Sequence, residues 1–378
     1  MRVLFLTSPN DDGLADLIFN GLLKMGLEVI DYPFKPFYHC RIKDGKIMTL
    51  DPALNDNVVE DENGLIKLST GEKSHRRLLS FSGMTDVQDE SIWLDDFDFC
   101  VVGILNSENK KIIEKILEHK KYPIYYLDGR DDPFLSKYIM KNIIYYKREL
   151  YTGHDSMNRK VKSLGRLGFS YYRKIDKNIQ VSKKYSTLNM VFPKSLEYKV
   201  FPINMTVNEH EFPKYDGEKE YDFSFLGTAN NDYRIKLSLL ISKFAKEKGF
   251  KAFFNIKSRG LYKSDKLSWT EYVKIVQKSK ISISFPGLGF DTFRYWEIPY
   301  YGSCLLSPKL PIKIPNNFLD MESAILYKDF SDLKIKLTYV LNNDSWKNIA
   351  KTGKDHFFKS HTSKARAKII VDDFNNRK

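Results

Sequence analysis

Apolar positions alternate between two rhythms from the first residue. RVLFLTSP is an apolar run of strand length, GLADLIFNGLLKMG sets its apolar residues at helical spacing, and LEVIDYPF is strand-like again. That order forms a β-α-β unit and predicts a parallel sheet. From Tyr38 to Ser82 the rhythm breaks, with Asp44-Gly45 and Asn63-Gly64 as turn signals between short mixed runs, which predicts a hairpin-rich excursion. Alternation resumes with FDFCVVGIL, a helix over SENKKIIEKILEHKK, the strand PIYYLDG, the loop RDDPF, and further elements through IIYYKREL and NIQVSKKY. Pro193, Pro202 and Pro213, followed by YDGEKE, mark an interdomain connection near residues 193–220. A second unit then runs through YDFSFLGT, RIKLSLLISKFAKEKG, FKAFFNI, SWTEYVKIVQKS, ISISFP, a short helix and SCLLSP, and the C-terminal stretch is mostly helical. The predicted fold is α/β, with two Rossmann-like domains over residues 1–200 and 201–358, a cleft between them, and a final helix over 359–378.

Chemistry concentrates in ISISFPGLGFDTFRYWEIPYYGSCLLSP, Ile281 to Pro308. A buried strand leads into Gly287 and Gly289, which allow a tight turn, and Asp291 or Thr292 can cap the helix that follows. A helix start just after a strand is an anion site, because its free N–H groups and dipole favour a phosphate. Arg294 falls in the first turn, and Glu297, three residues later on the same face, can accept hydroxyls of a sugar or ribose. The plain alternative is a surface ion pair worth roughly 0.2–0.5 kcal/mol; the flanking glycines and apolar strands weigh against it. Pro299 shortens or kinks the helix and so bears on the reach of Glu297.

Other candidates follow predicted strands, where a parallel sheet exposes its ligand-facing ends. FSFLGTANNDYR sets Gly227 and Thr228 on a turn before a helix bearing Arg234, and FFNIKSRG brings Lys257 and Arg259 to the same rim. The first alone reads as an ordinary β-α turn with a solvated Arg234, a reading that the Glu297 segment downstream outweighs; the second is equally readable as a solvated loop in a lysine-rich chain. Asn10 to Asp12 and the acidic run Asp128, Asp131 and Asp132 end strands of the first half, where paired carboxylates can deprotonate a hydroxyl, although aspartates in turns are commonly caps. His210, near the interdomain connection, is a weaker candidate.

Composition narrows the classes. At 378 residues, with 42% hydrophobic and 14% aromatic residues, the chain suits two well-packed domains. The three cysteines, Cys40, Cys100 and Cys304, are far apart, and the seven histidines have no ligand-like spacing, so neither a disulfide framework nor a metal is expected. No apolar run reaches the roughly 18–20 residues of a membrane span, and MRVLFLTSPNDDG reads as strand and loop rather than a signal peptide, so a cytoplasmic enzyme is expected. The net charge of +13 comes from scattered lysines rather than a tight cluster alternating with aromatics. That argues against nucleic acid and leaves room for loose association with an anionic membrane surface, at the inner face of the membrane, or with polyanionic glycans.

The segment from Tyr221 to Phe374 resembles two-domain, nucleotide-sugar-dependent glycosyltransferases of the GT-B class. It is similar to the CgeB-like group of family-1-type glycosyltransferases and, in its order of strand, Pro-Gly loop, Arg294, Glu297, Gly302 and apolar strand, to the exostosin-like group. YYLDGRDDPF and IIYYKREL are more loosely similar to the CgeB-like pattern, and Ile298-Pro299 departs from the alanine usual after the glutamate. The resemblance implies transfer of a sugar from a nucleotide-diphosphate donor, with a UDP-sugar expected as co-substrate and no tightly bound cofactor, to a glycan, lipid-linked or protein acceptor. It implies Arg234 and Arg294 at the phosphates, Lys257 and Arg259 offsetting their charge, Glu297 on hydroxyls, and Gly227, Thr228, Gly287, Gly289 and Thr292 around the donor. It further implies acceptor binding and a base, Asp128 or Asp131, in the first domain, and a last helix that packs back onto that domain. The alternative from another class is a catalytically inactive nucleotide-sugar or polyanion-binding protein; a further one within the same fold is a nucleotide-sugar epimerase or phosphorylase.

Overall fold

The computed structural model describes residues 1–7, 13–32, 40–43, 46–49, 58–60, 66–68, 96–104, 107–119, 122–131, 136, 140, 142–150, 152, 200–207, 209, 214–229, 232–258, 267–287 and 289–377. In chain order the first half comprises β1 (Arg2–Leu6), α1 (Gly13–Lys24), β2 (Glu28–Tyr32), β3 (Cys40–Lys43), β4 (Lys46–Thr49), β5 (Val58–Glu60), β6 (Ile66–Leu68), β7 (Phe99–Val102), α2 (Ser107–His119), β8 (Ile124–Asp128), β9 (Ile144–Lys147) and β10 (Val200–Pro202). The second half comprises β11 (Tyr221–Ala229), α3 (Asp232–Lys248), β12 (Ala252–Ser258), α4 (Trp269–Lys278), β13 (Ser279–Ile283), α5 (Phe293–Tyr300), β14 (Cys304–Pro308), β15 (Ile325–Tyr327), α6 (Phe330–Asn342), α7 (Trp346–Ser360) and α8 (Ser363–Arg377).

Two parallel sheets result. The first has the order β10-β9-β8-β7-β1-β2 and the second β12-β11-β13-β14-β15. Helices cover parallel sheets on both faces, so their strands read as unbroken apolar runs, and β8 and β14 are buried at every residue. The excursion after β2 includes two antiparallel pairs, β3 with β4 and β5 with β6; the two Gly turn signals themselves lie outside the described residues. Strand order reverses once in each sheet, between β1 and β7 and between β11 and β13. Ligands of open α/β sheets bind outside the carboxyl ends of the strands at such a reversal. In the second sheet that point is flanked by Gly227-Thr228 at the end of β11 and by the Ser284–Asp291 loop after β13.

The last helix crosses to the first half. A Cβ on Gly21 of α1 would stand 2.1 Å from the Ser363 carbonyl oxygen, so α1 and α8 approach as only a glycine allows. Phe374 of α8 packs on Phe99 of β7 with ring centroids 4.9 Å apart, and one apolar cluster runs from Phe5 and Phe99 through Ile370 to Trp296 of α5. Glu209 fastens the same corner, its carboxylate accepting from the Lys24 ammonium, the Ser363 hydroxyl and the Ser363 N–H. Among the described residues no helix is long and apolar enough to cross a membrane.

Candidate functional site

The reversal point of the second sheet gathers Gly227, Arg294, Glu297 and a residue that sequence reasoning passed over, Tyr272. A Cβ on Gly227 would lie 2.8 Å from Arg294 Nη2 and 3.0 Å from its Cζ, so the missing side chain makes room for the guanidinium. That group sits with Cζ 5.7 Å from the centre of the Phe225 ring, a distance at which cation–π attraction holds it. Arg294 and Glu297 make no ion pair with each other. Glu297 instead accepts a hydrogen bond at Oε2 from the Tyr272 hydroxyl, 2.7 Å, and among the described residues the half-buried Arg294 guanidinium has neither a hydrogen bond nor a carboxylate at ion-pair distance. Thr292 occupies the N-cap position of α5 without a side-chain capping bond, its Oγ1 lying 3.0 Å from Ser284 Oγ. Pro299 falls in the last turn of this eight-residue helix, beyond Glu297, and leaves the first turn intact.

Arg234, expected at the phosphates, is 4% exposed and committed elsewhere. Its Nε donates to the Pro286 carbonyl at 2.8 Å, Nη1 to Thr228 at 2.9 Å and Nη2 to Phe285 at 2.9 Å. It therefore ties the end of β11 to the loop after β13, bracing the rim on which Arg294 sits. Gly287, expected to offer its N–H to a ligand, donates it to the Gly289 carbonyl at 2.8 Å and so closes the loop on itself. Thr228 is exposed, and its backbone pairs with Lys257 across β11 and β12.

The carboxyl ends of β8 and β9 meet this loop from the first half. Asp128, expected as a base, is fully buried, with Arg130 at 2.8 Å, Lys147 at 3.1 Å and the Tyr145 hydroxyl all on its carboxylate. Burial alone would raise its pKa; the Arg130 hydrogen bond and the Lys147 charge outweigh that and hold it below the ordinary range. A carboxylate so enclosed and so weakly basic braces the sheet edge and is not placed to take a substrate proton. Asp131 differs: its side chain is about half exposed and paired with Arg148.

Next to them stands Glu149, which the sequence reading did not single out. It is 1% exposed and accepts the N–H groups of Phe290 at 3.1 Å and Asp291 at 2.9 Å. A Cβ on Gly289 would stand 2.4 Å from Glu149 Oε1 and 2.9 Å from Asp131 Oδ1, so this glycine is required by close approach. Asp291 reciprocates. Rather than capping α5, its carboxylate takes the Met205 N–H and the Trp296 indole N–H, 2.7 Å for the latter. Each half thus contributes a carboxylate to the other's backbone, and the glycine loop is fixed where the sheets face one another.

Burial pushes the Glu149 carboxyl up, opposed by Arg148 and the two N–H groups and reinforced by Asp291; burial likewise raises Asp291. A carboxyl raised in the folded state stabilises most below its unfolded pKa, about 4.3 for glutamate, and that contribution is lost as pH rises through the folded value. The stability gap between wild type and Glu149→Gln, measured by denaturant titration, is therefore expected to shrink from pH 4.5 to pH 8. A gap that widens over that range would mean that pairing with Arg148 outweighs burial.

Asn10 to Asp12, Asp132, His210 and Arg259 lie outside the described residues, as does the side chain of Lys257. Among the described residues no group of three or more His, Cys, Asp or Glu side chains is arranged to hold a metal ion.

Two parallel sheets whose carboxyl edges face each other, with a helix returning from the second half to the first, define the GT-B class of architecture. Residues 223–372, which carry nearly all of the second sheet and the Arg294–Glu297 helix, match the glycosyl transferase-like family. No curated protein sequence matches it. Similar solved structures include TarM, at 10% identity over 99% of both chains with a TM-score of 0.49. A glycosyltransferase from Rickettsia africae has 9% identity over 99% of this chain and 98% of its own, TM-score 0.47. Sucrose-phosphate synthase from Thermosynechococcus elongatus has 10% identity over 100% and 99%, TM-score 0.45. These likenesses are too distant to carry substrate or mechanism.

Proposed function

We propose that the protein transfers a sugar from a nucleoside-diphosphate sugar to an acceptor hydroxyl, with the donor held at the strand reversal of the second sheet. The observation that carries this reading is the Arg294 guanidinium, half-buried beside Gly227 and at the side-chain-uncapped start of α5, with no anionic partner among the described residues. A cation so situated is completed by an anion, and a diphosphate is the anion that a helix start and an arginine fork suit together. Glu297 would take hydroxyls of the ribose or sugar. Thr228 would line the same rim.

In the reaction the bond between the anomeric carbon and the phosphate oxygen breaks, the acceptor oxygen bonds to that carbon, and the acceptor proton leaves to a base. For an inverting reaction the base we propose is Asp131, exposed and steered by Arg148. The acceptor, a glycan, a lipid-linked group or a protein, would then lie on the first domain. Charge gathering on the leaving diphosphate is offset by Arg294 and the α5 N-terminus, a task other sites give to a divalent ion. Transfer or hydrolysis of a nucleotide sugar, with a UDP-sugar as the first donor assayed, is expected to persist in excess EDTA. Complete loss restored by Mn²⁺ would overturn the metal-independent part of this reading. Tight donor binding with no turnover for any acceptor would reduce the protein to a nucleotide-sugar-binding one.

A further inference from the structure

Tyr272 enters the site from α4, an element that carries none of the candidate residues named from the sequence. The helix is firmly set: Ser268 and Glu271 form a capping box at its start, Val273 and Val276 are buried, and Trp269 Nε1 donates to the Tyr301 hydroxyl at 3.3 Å. The Tyr272 ring packs edge-on against Tyr301, centroids 6.3 Å apart. Its hydroxyl is therefore delivered to Glu297 Oε2 from a fixed direction, and Oε1 makes no hydrogen bond among the described residues.

We infer that Tyr272 is a positioning residue for the donor, fixing the Glu297 carboxylate in one rotamer with one oxygen occupied and the other left to a ligand hydroxyl. The inference rests on the reading of Glu297 as the hydroxyl-binding group of the donor site. A glutamate on a half-open helix face otherwise samples several rotamers, and a ligand must bear the cost of selecting one. The phenol removes that cost before the ligand arrives, the usual work of a supporting contact behind a binding group. Burial and the charge of Glu297 hold the Tyr272 phenol well above its ordinary pKa, so it remains a hydrogen-bond donor across the working pH range. Arg294 lies close enough to act on the same phenol electrostatically, which joins all three side chains in one polar cluster.

The test is calorimetry with two probes, inorganic pyrophosphate and whichever of UDP-glucose, UDP-N-acetylglucosamine, GDP-mannose and ADP-glucose the wild type binds most tightly. Tyr272→Phe keeps the ring and deletes only the hydroxyl. It is expected to weaken nucleotide-sugar binding about three- to tenfold, the range for one ordinary hydrogen bond after solvent exchange, because the phenol acts on the ligand only through the carboxylate it holds. Pyrophosphate, which engages Arg294 but presents no hydroxyl, should bind unchanged. In a Glu297→Ala background the same substitution should cost nothing further, because the group it positions is gone. Equal losses for both probes, or an undiminished effect in the Glu297→Ala background, would make Tyr272 a structural residue and overturn the inference. An unchanged nucleotide-sugar affinity in Tyr272→Phe beside a loss in Glu297→Ala would overturn it too, while leaving the donor site standing. No effect of Glu297→Ala itself would instead remove the reading on which it rests.

Discussion

Replacing Arg294 by alanine is expected to weaken binding of a nucleoside diphosphate about ten- to a hundredfold and to leave the melting transition nearly unmoved. The guanidinium makes no hydrogen bond or ion pair among the described residues and rests near the Phe225 ring beside Gly227. Its removal therefore strands no buried partner. Hydrogen bonds between charged groups contribute about 1.5–3 kcal/mol, which is the stated range of affinity at 1.4 kcal/mol per tenfold. The loss should fall on the diphosphate and spare the nucleoside, since only the former is an anion. Calorimetry with both ligands checks this, and equal losses would mean that Arg294 shapes the pocket rather than holding phosphate.

Arg234→Ala should do the reverse. The side chain is buried and bonded to three carbonyl oxygens from two loops, at Thr228, Phe285 and Pro286. Truncation leaves those carbonyls without their charged donor and opens a cavity between β11 and the loop after β13. Together these place the destabilisation at about 3–5 kcal/mol, at the upper end for a single substitution. Arg234→Lys would recover little, because an ammonium cannot span the geometry of the guanidinium fork. The check is a shift in the denaturation midpoint. Unaltered stability with a selective loss of diphosphate affinity would return Arg234 to the phosphates, where the family resemblance had put it.

The two arginines mark what the sequence could and could not reveal. Both follow strand ends, and the alternation of strand and helix suffices to locate such ends, so those ends and their glycines were legible, whereas the strand order that makes one of them a reversal point was not. Which guanidinium is spent on backbone carbonyls and which is left for a ligand depends on the path of a loop fifty residues away in sequence. No local pattern encodes that. The same limit explains Asp128: its place after a strand was readable, but its burial between Lys147 and Arg130 depends on the neighbouring strand β9 and on the fold of its own loop. Glu149 was within reach, because it too follows a strand, yet its partners lie in the other half of the chain. Tyr272 had no signal at all, being one aromatic on an amphipathic helix whose acceptor is Glu297 on the next helix.

A crystal of the complex with a nucleoside diphosphate would locate the donor diphosphate, which is proposed to lie at the strand reversal between β11 and β13. Phosphate oxygens are expected within hydrogen-bond reach of the Arg294 guanidinium and the first N–H groups of α5, with Glu297 Oε1 on a ligand hydroxyl. Density for the nucleotide at the reversal of the first sheet, between β1 and β7, with Arg294 still unpartnered, would contradict that placement.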